Sequence, residues 1–309
     1  MVLPSMSNFE SQVTSGMVAI VGPPNAGKST LLNRFLGQKI SIVTPKPQTT
    51  RNRIIGIVNQ PEYQVVFLDT PGLHRSREPL NVEMVKIALD SLTEVDLVLF
   101  LVDVSLSIPE KAQEERREEL ASYLARIASP AILVLNKIDC LERSRILPMI
   151  EAYGELFPFK AIIPVSALHN DGLDLLLREI LRYLPVGPRL FPEDIPTDAS
   201  ERFLCAEIVR EKVFLFTGEE IPYATAVLIE SFKEDEERGL VVLHATIVVD
   251  RESQKGIIIG KGGKKLKSIG SAARRDIEKL LGQRVHLQLW VKVHRNWASD
   301  KRFLADLGY

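Results

Sequence analysis

Gly22-Pro23-Pro24-Asn25-Ala26-Gly27-Lys28-Ser29 is the stretch on which the reading of this chain turns. An apolar run, 17–21, leads into it, and a helical stretch, 30–36, leads out and stops at Gly37. Gly, four residues, then Gly-Lys-Ser between a buried strand and a helix is the P-loop pattern. Gly27 lets backbone N–H groups turn inward around phosphate oxygens, and Asn25, Ala26 and Thr30 complete the cradle. Lys28 reaches the outer phosphates as a point charge. The Ser29 hydroxyl ligates Mg²⁺, and the helix N-terminus adds its positive dipole end. An accidental Gly-rich turn would meet this spacing in about one chain of this length per hundred.

Two further motifs displace that accidental reading. Asp69-Thr70-Pro71-Gly72 closes the next apolar strand, 64–68. An Asp at a strand end holds the Mg²⁺ shell, and the Gly72 N–H can sense a γ-phosphate. Asn136-Lys137-Ile138-Asp139 closes a later strand, 131–136. There the Asp139 carboxylate can accept two N–H bonds from a guanine edge, which adenine cannot offer, and the Lys137 stem can lie along the base. Ser166-Ala167-Leu168 follows the strand at 161–165 and supplies backbone N–H to the guanine oxygen. Three such motifs in this order by accident is on the order of one in a million from composition. An ATP-using kinase or helicase is the competing enzyme reading; Asn136 and Asp139 argue against it, and no base for a phosphoryl acceptor is evident.

Outward from these motifs, strands at 17–21, 64–68, 96–103, 131–136 and 161–165 alternate with helical patterns at 80–92, 109–128, 141–157 and 173–184. Such alternation predicts an α/β domain over 17–184 with a mostly parallel sheet covered on both faces. Residues 1–16 read as a flexible polar extension. Pro185, Pro188, Pro192 and Pro196 fall within 185–199, which reads as a stiff linker because proline fixes φ and lacks the donor.

Residues 200–309 then change character. A helix over 200–214, with Ser200 as N-cap, precedes an antiparallel strand pair at 225–233 and 240–249. Gly256 to Gly263 follows. Leu266, Ile269, Ala273, Ile277 and Leu280 then recur at steps of three and four, marking an amphipathic helix that stops at Gly282. An alternating strand at 285–293 and a short helix at 297–307 close the chain. Gly260-Lys261-Gly262-Gly263 has the Gly-x-x-Gly form of a phosphate clamp, in which absent side chains admit a sugar-phosphate backbone. Lys261, Lys264, Lys265 and Lys267 supply charge, and Ile257, Ile258 and Ile259 can line a base groove or enter the core. Trp290 and Trp297 can stack a base, although packing of the terminal helix is the plainer reading.

Charge supports that assignment. The 309-residue chain has a net charge of −1, yet residues 251–309 hold 14 Lys+Arg against 5 Asp+Glu. An acidic partner such as nucleic acid is one reading of that surplus; a solvated basic surface is the other. The longest apolar run, 97–102, is far short of the roughly 20 residues that span a bilayer. The first 16 residues lack a basic n-region and an apolar h-region, so no secretory signal is expected. Cys140 and Cys205 form no metal-ligand spacing and are expected to be thiols in a reducing cytosol.

The N-terminal half resembles the translation-factor-related class of regulatory GTPases. That resemblance places Gln48-Thr49-Thr50-Arg51 in the first switch, where a Thr closes on Mg²⁺ when γ-phosphate is present; Thr50 is favoured over Thr49. Ser29, Thr50 and Asp69 are then the metal set, and Lys28, Thr50, Gly72 and Asn25 the catalytic set. Leu73 stands where many small GTPases carry a water-orienting Gln. Asn25 is shared with GTPases that recruit K⁺ in place of an arginine finger. Residues 200–309 resemble a type II KH domain, a smaller α+β module. The whole, from about Met17 to Leu307, resembles the Era family. It implies a GTPase that binds single-stranded RNA at the 3′ end of small-subunit ribosomal RNA and assists maturation of the small ribosomal subunit; Leu73, with no finger in cis, predicts slow turnover. It further implies a cytoplasmic monomer with peripheral contact to the inner membrane. A different RNA, single-stranded DNA or a protein surface remains the alternative partner of the KH module.

Overall fold

The structure is a computed structural model that describes residues 12–74, 79–105, 118–235 and 237–307. Its larger sheet has the order β2-β3-β1-β4-β5-β6, formed by β1 (Val13–Val21), β2 (Ile54–Asn59), β3 (Tyr63–Asp69), β4 (Leu97–Asp103), β5 (Ala131–Asn136) and β6 (Ala161–Val165). All neighbours are parallel except the edge pair β2–β3. Along β1, Val18 and Ile20 enter one buried cluster, and Ala19 and Val21 enter the other. Burial on both faces explains why these strands read as continuous apolar runs. Helices α1 (Lys28–Leu36), α2 (Pro79–Asp90), α3 (118–124), α4 (Ile146–Gly154) and α5 (Leu173–Leu181) accompany the sheet.

Several boundaries differ from the sequence reading. β1 starts at Val13, and residues 14–16 pair with β3, so 13–16 do not belong to a loose extension; residues 1–11 lie outside the described residues. The first part of the helix expected over 109–128 also lies outside them. The helix expected over 141–157 is instead a 3₁₀ turn, Arg143–Arg145, followed by α4. β2 was not anticipated, because Gly56 interrupts its apolar run. That glycine lets α1 approach: a Cβ there would stand 2.6 Å from Leu32 Cδ1.

The proline-rich stretch is a strap packed on the sheet. Ser15 N–H donates to Pro185 O, and β7 (Val186–Gly187) pairs with the start of β1. Gln64 Oε1 accepts from the N–H groups of Leu190 and Phe191 at 2.6 and 2.9 Å. Ile57 N–H donates to Pro196 O, and Thr197 Oγ1 donates to Ile55 O. The β2 edge is thereby covered and withheld from pairing with another chain.

The second domain packs α6 (Glu201–Phe216), α7 (Glu252–Ile259) and α8 (Lys264–Leu281) on a sheet of order β10-β9-β8. β8 (Thr225–Asp235) is antiparallel to β9 (Leu240–Val249), and β10 (Arg284–Val293) is parallel to it. Ser200 caps α6 by accepting from Phe203 N–H. Trp297 is 1% exposed and donates to Ala224 O, so it anchors α9 (Lys301–Asp306) and is not available for stacking.

Candidate functional site

The glycine-rich loop runs from β1 to α1 with Gly22 at φ 146° and Gly27 at φ 96°. Close approach forbids a side chain at either: a Cβ at Gly22 would lie 2.2 Å from Leu101 O, and one at Gly27 2.2 Å from Asn136 Nδ2. Lys28 Nζ donates to Gly22 O at 3.0 Å and Pro23 O at 2.9 Å. Burial lowers its pKa to about 8, against the opposing pull of the Asp69 carboxylate.

Ser29 Oγ donates to Asp69 Oδ2 at 2.7 Å and lies 2.8 Å from Thr50 Oγ1. Ser41 Oγ donates to the same Asp69 oxygen at 2.7 Å. Burial pushes the Asp69 pKa up, opposed by the Ser29 and Ser41 hydrogen bonds and by Lys28. Asp69 Oδ1 is buried with no partner among the described residues. The Ser29 and Thr50 hydroxyls and the Asp69 carboxylate, with its Oδ1 unsatisfied, form a hard-oxygen donor set that fits Mg²⁺. Such an ion would polarise phosphate oxygens and neutralise developing charge. Thr49 also lines the cavity, but its hydroxyl is engaged elsewhere: Oγ1 meets Thr44 Oγ1 at 2.6 Å and donates to Lys46 O. Thr50 is therefore the threonine turned to the metal set.

At the base end, Ser166 Oγ donates to Asp139 Oδ1, and that bond holds the Asp139 carboxyl below its usual range. Lys137, at φ 70°, donates to Asp103 Oδ2 at 2.5 Å. Asn136 is a strut: Nδ2 donates to Ala26 O at 2.7 Å, and Oδ1 accepts from Ala167 N–H at 3.0 Å. The Ala167 N–H expected at the base is thus held by Asn136 here. Leu168 is exposed, and its carbonyl accepts from Arg34 Nη2 at 2.6 Å. One cavity of about 710 Å³ joins both ends, lined by Lys28, Ser29, Thr50, Gly72, Asp139 and Leu168. Thr30 also lines it, whereas Ala26 is fully buried beneath the loop. Leu73 is 2% exposed and packs in the core, so it orients nothing in the cavity. Asn25 reaches over the opening, donating from Nδ2 to Pro45 O at 3.0 Å.

In the second domain, α7 and α8 flank the turn of Gly260 to Gly263. Gly260, Gly262 and Gly263 have φ of 70°, 59° and 74°. A Cβ at Gly262 or Gly263 would meet nothing within 4 Å, whereas one at Gly260 would meet Lys265 Cβ at 2.8 Å. Gly262 and Gly263 therefore leave open space, and Gly260 is required by packing. Lys261, Lys264 and Lys267 are exposed, whereas Lys265 is half-buried over Gly260. A groove beside the turn is lined by Leu266, Lys267, Gly270, Arg274, Leu287 and Leu289. Ile257 is exposed. Ile258 corrects the sequence reading: residues 252–259 form a helix, which turns Ile258 inward to full burial in the core. Leu287 and Leu289 line the groove because the alternation of β10 places them on the face toward α8.

The sequence reading missed the seam between the domains. α6 buries Glu207, Arg210, Glu211 and Lys212. Arg210 donates to both Glu207 carboxylate oxygens and to Thr49 O at 2.6 Å. Arg51 donates to Pro222, Tyr223 and Thr225 carbonyls and lies 5.7 Å over the Trp297 ring. Lys46 donates to Phe214 O and Thr217 O. Glu211 Oε1 accepts from Val43 N–H at 3.0 Å. The signal was an α6 whose charges have no polar face of their own, since apolar residues alternate with them all round.

Fold and site together define a P-loop GTPase domain followed by a KH domain. Residues 17–137 match the family model described as 50S ribosome-binding GTPase, and residues 220–298 match the KH domain. The chain is 54% identical to GTPase Era of Geobacter metallireducens over 96% of this chain and 97% of that protein. Among solved structures, a variant of Aquifex aeolicus Era bound to GDP·AlF4⁻ is 43% identical, with a TM-score of 0.89 over 96% of this chain and 99% of that one. Era in complex with MgGDPNP and nucleotides 1506–1542 of 16S ribosomal RNA matches with the same identity, coverage and TM-score. The chain belongs to the GTPase Era family, and it is a GTP-hydrolysing enzyme.

Proposed function

We propose that this GTPase holds single-stranded RNA from the 3′ end of 16S ribosomal RNA on its KH face and assists maturation of the small ribosomal subunit. The observation that carries the reading is the turn of Gly260 to Gly263. Left-handed Gly262 and Gly263 leave space for a sugar-phosphate backbone, with exposed Lys261, Lys264 and Lys267 close by and a groove alongside that joins leucines to Lys267 and Arg274. The related Era held with nucleotides 1506–1542 supports the choice of RNA. Cross-linking the protein in cells and sequencing the bound RNA tests it. Reads concentrated at the 16S 3′ end are expected; reads dominated by other RNAs, or none, overturn it.

Within the GTP site, the proposed roles are phosphate binding by Lys28, Mg²⁺ binding by Ser29, Thr50 and Asp69, γ-phosphate sensing by Gly72 and guanine selection by Asp139. Asn25 is proposed to help hold K⁺ near the phosphates. Its supporting observation is the left-handed backbone, φ 61°, that throws its side chain across to the switch loop at Pro45. Exchange of sodium for potassium should then raise the hydrolysis rate, and Asn25→Ala should erase the difference. We further propose a cytoplasmic monomer whose contact with the inner membrane is peripheral; no helix among the described residues is long and apolar enough to cross one.

A further inference from the structure

GTP hydrolysis needs a group that orients the attacking water, and Leu73 is buried in the core where many small GTPases place a Gln. Three carboxamides line the GTP cavity: Asn25, Gln48 and Asn136. Asn136 has both ends engaged by Ala26 and Ala167, and Asn25 is tied to Pro45. Gln48 is held differently. Its Nε2 lies 3.0 Å from His74 Nε2, and His74 Nδ1 lies 2.7 Å from Gly72 O.

That chain of contacts has a single polarity. A carbonyl can only accept, so His74 Nδ1 carries the hydrogen, and in the neutral ring Nε2 is a lone pair. The Nε2 lone pair accepts from the Gln48 amide N–H. The carboxamide is thereby fixed with Oε1 as its remaining acceptor, and Oε1 makes no bond among the described residues. Gln48 lies two residues before Thr50, and His74 two after Gly72, so both stand on the segments that flank the γ-phosphate end. Gln48 also adopts φ 57°, a left-handed conformation that strains a non-glycine residue and clusters at active sites.

We propose that Gln48 is a catalytic residue that accepts a hydrogen bond from the attacking water through Oε1, and that His74 is the positioning residue that fixes its carboxamide. The water oxygen attacks the γ-phosphorus, and the bond from phosphorus to the β–γ bridging oxygen breaks, with the electron pair leaving on GDP. The water proton ends on phosphate or solvent; Gln48 and His74 take none. The first switch thus supplies the amide that the second switch lacks. The bland alternative is that the pair merely closes one loop over the other.

Single-turnover GTP hydrolysis separates the two. Gln48→Gly removes the carboxamide while relieving the left-handed backbone, so the loop keeps its course. The rate should fall on the order of 10²-fold, the loss typical of one oriented group at a reaction centre. GTP and GDP affinities should stay within about twofold, whereas affinity for GDP·AlF4⁻, a mimic of the transferring phosphoryl, should fall with the rate. His74→Phe keeps a ring but loses the lone pair; it should slow hydrolysis in the same way, and the double variant should be no slower than Gln48→Gly. Should Gln48→Gly unfold, His74→Phe carries the test. The ratio of rates in potassium and sodium should survive in both variants, which separates this inference from the potassium reading. Parental rates in folded variants, or a rate loss matched by lost GTP affinity, overturn it.

Discussion

Two turns in this molecule share a local design and differ in what surrounds them. At each, a left-handed glycine precedes a helix that begins with lysine: Gly27 before Lys28 of α1, and Gly263 before Lys264 of α8. In the first, the space a side chain would need is filled by Asn136, and the lysine is buried. In the second, that space is open and the lysine is exposed. The enclosed version makes a cavity that can measure one small ligand, and the open version makes a rail along which a polymer backbone can lie. Conformational freedom at glycine is common to both. Burial decides whether the turn serves specificity or salt-dependent grip.

The largest expected effect lies at the enclosed site. Asp139→Asn should shift preference from GTP toward xanthosine triphosphate, whose extra carbonyl needs a donor. Lost polar base contacts can change discrimination ~10⁴-fold, and competition binding would read it. Equal GTP affinity in variant and parent would remove Asp139 from the base pocket.

The seam should come next. Arg210→Ala leaves the Glu207 carboxylate buried without its guanidinium and should destabilise the protein by about 3 kcal/mol, read by denaturant unfolding. It also frees Thr49 O, next to Thr50, so GTP binding should weaken more than GDP binding. Lys267→Ala, on the exposed rail, should leave stability within about 0.5 kcal/mol. A stable Arg210→Ala variant would show that the buried pair adds nothing to the docking of α6.

A smaller effect compares the glycines directly. Gly262→Ala meets only its own left-handed backbone, a strain of about 1–2 kcal/mol. Gly27→Ala adds the collision with Asn136 and should lose more, seen as a greater fall in melting temperature and in GTP affinity. Equal losses at the two positions would erase the distinction drawn between them.

Most of the GTP site was legible because its residues lie within short motifs at strand ends, where local order fixes position. Ser29 and Asp69 meet as their motifs imply, and Thr50, placed only by resemblance, stands beside Ser29. Pairing across distance was not legible. β2 was hidden by Gly56, whose purpose is contact with Leu32. The strap on Gln64 reads only as a stiff linker, because proline spacing shows stiffness but not what the stiff segment lies on. Three consecutive isoleucines leave groove and core open, because the sequence does not reveal which one a helix turns inward; the structure buries Ile258. The Arg210 contact to Thr49 spans 161 residues, and no sequence pattern announces it.

The open turn as RNA grip, working apart from the enclosed GTP pocket, is the central proposal for this molecule. Its direct test measures single-stranded RNA of the 16S 3′ end and GTP on the same preparations, parent against Lys261→Asp with Gly262→Asp, over a range of salt. Parental RNA affinity should fall with salt at a log–log slope of about −0.7 per phosphate neutralised. The double variant, unfolding at the parental temperature, should bind RNA far more weakly and with a shallower slope while GTP affinity is unchanged. A folded double variant that binds this RNA as tightly and with the same slope would contradict the account.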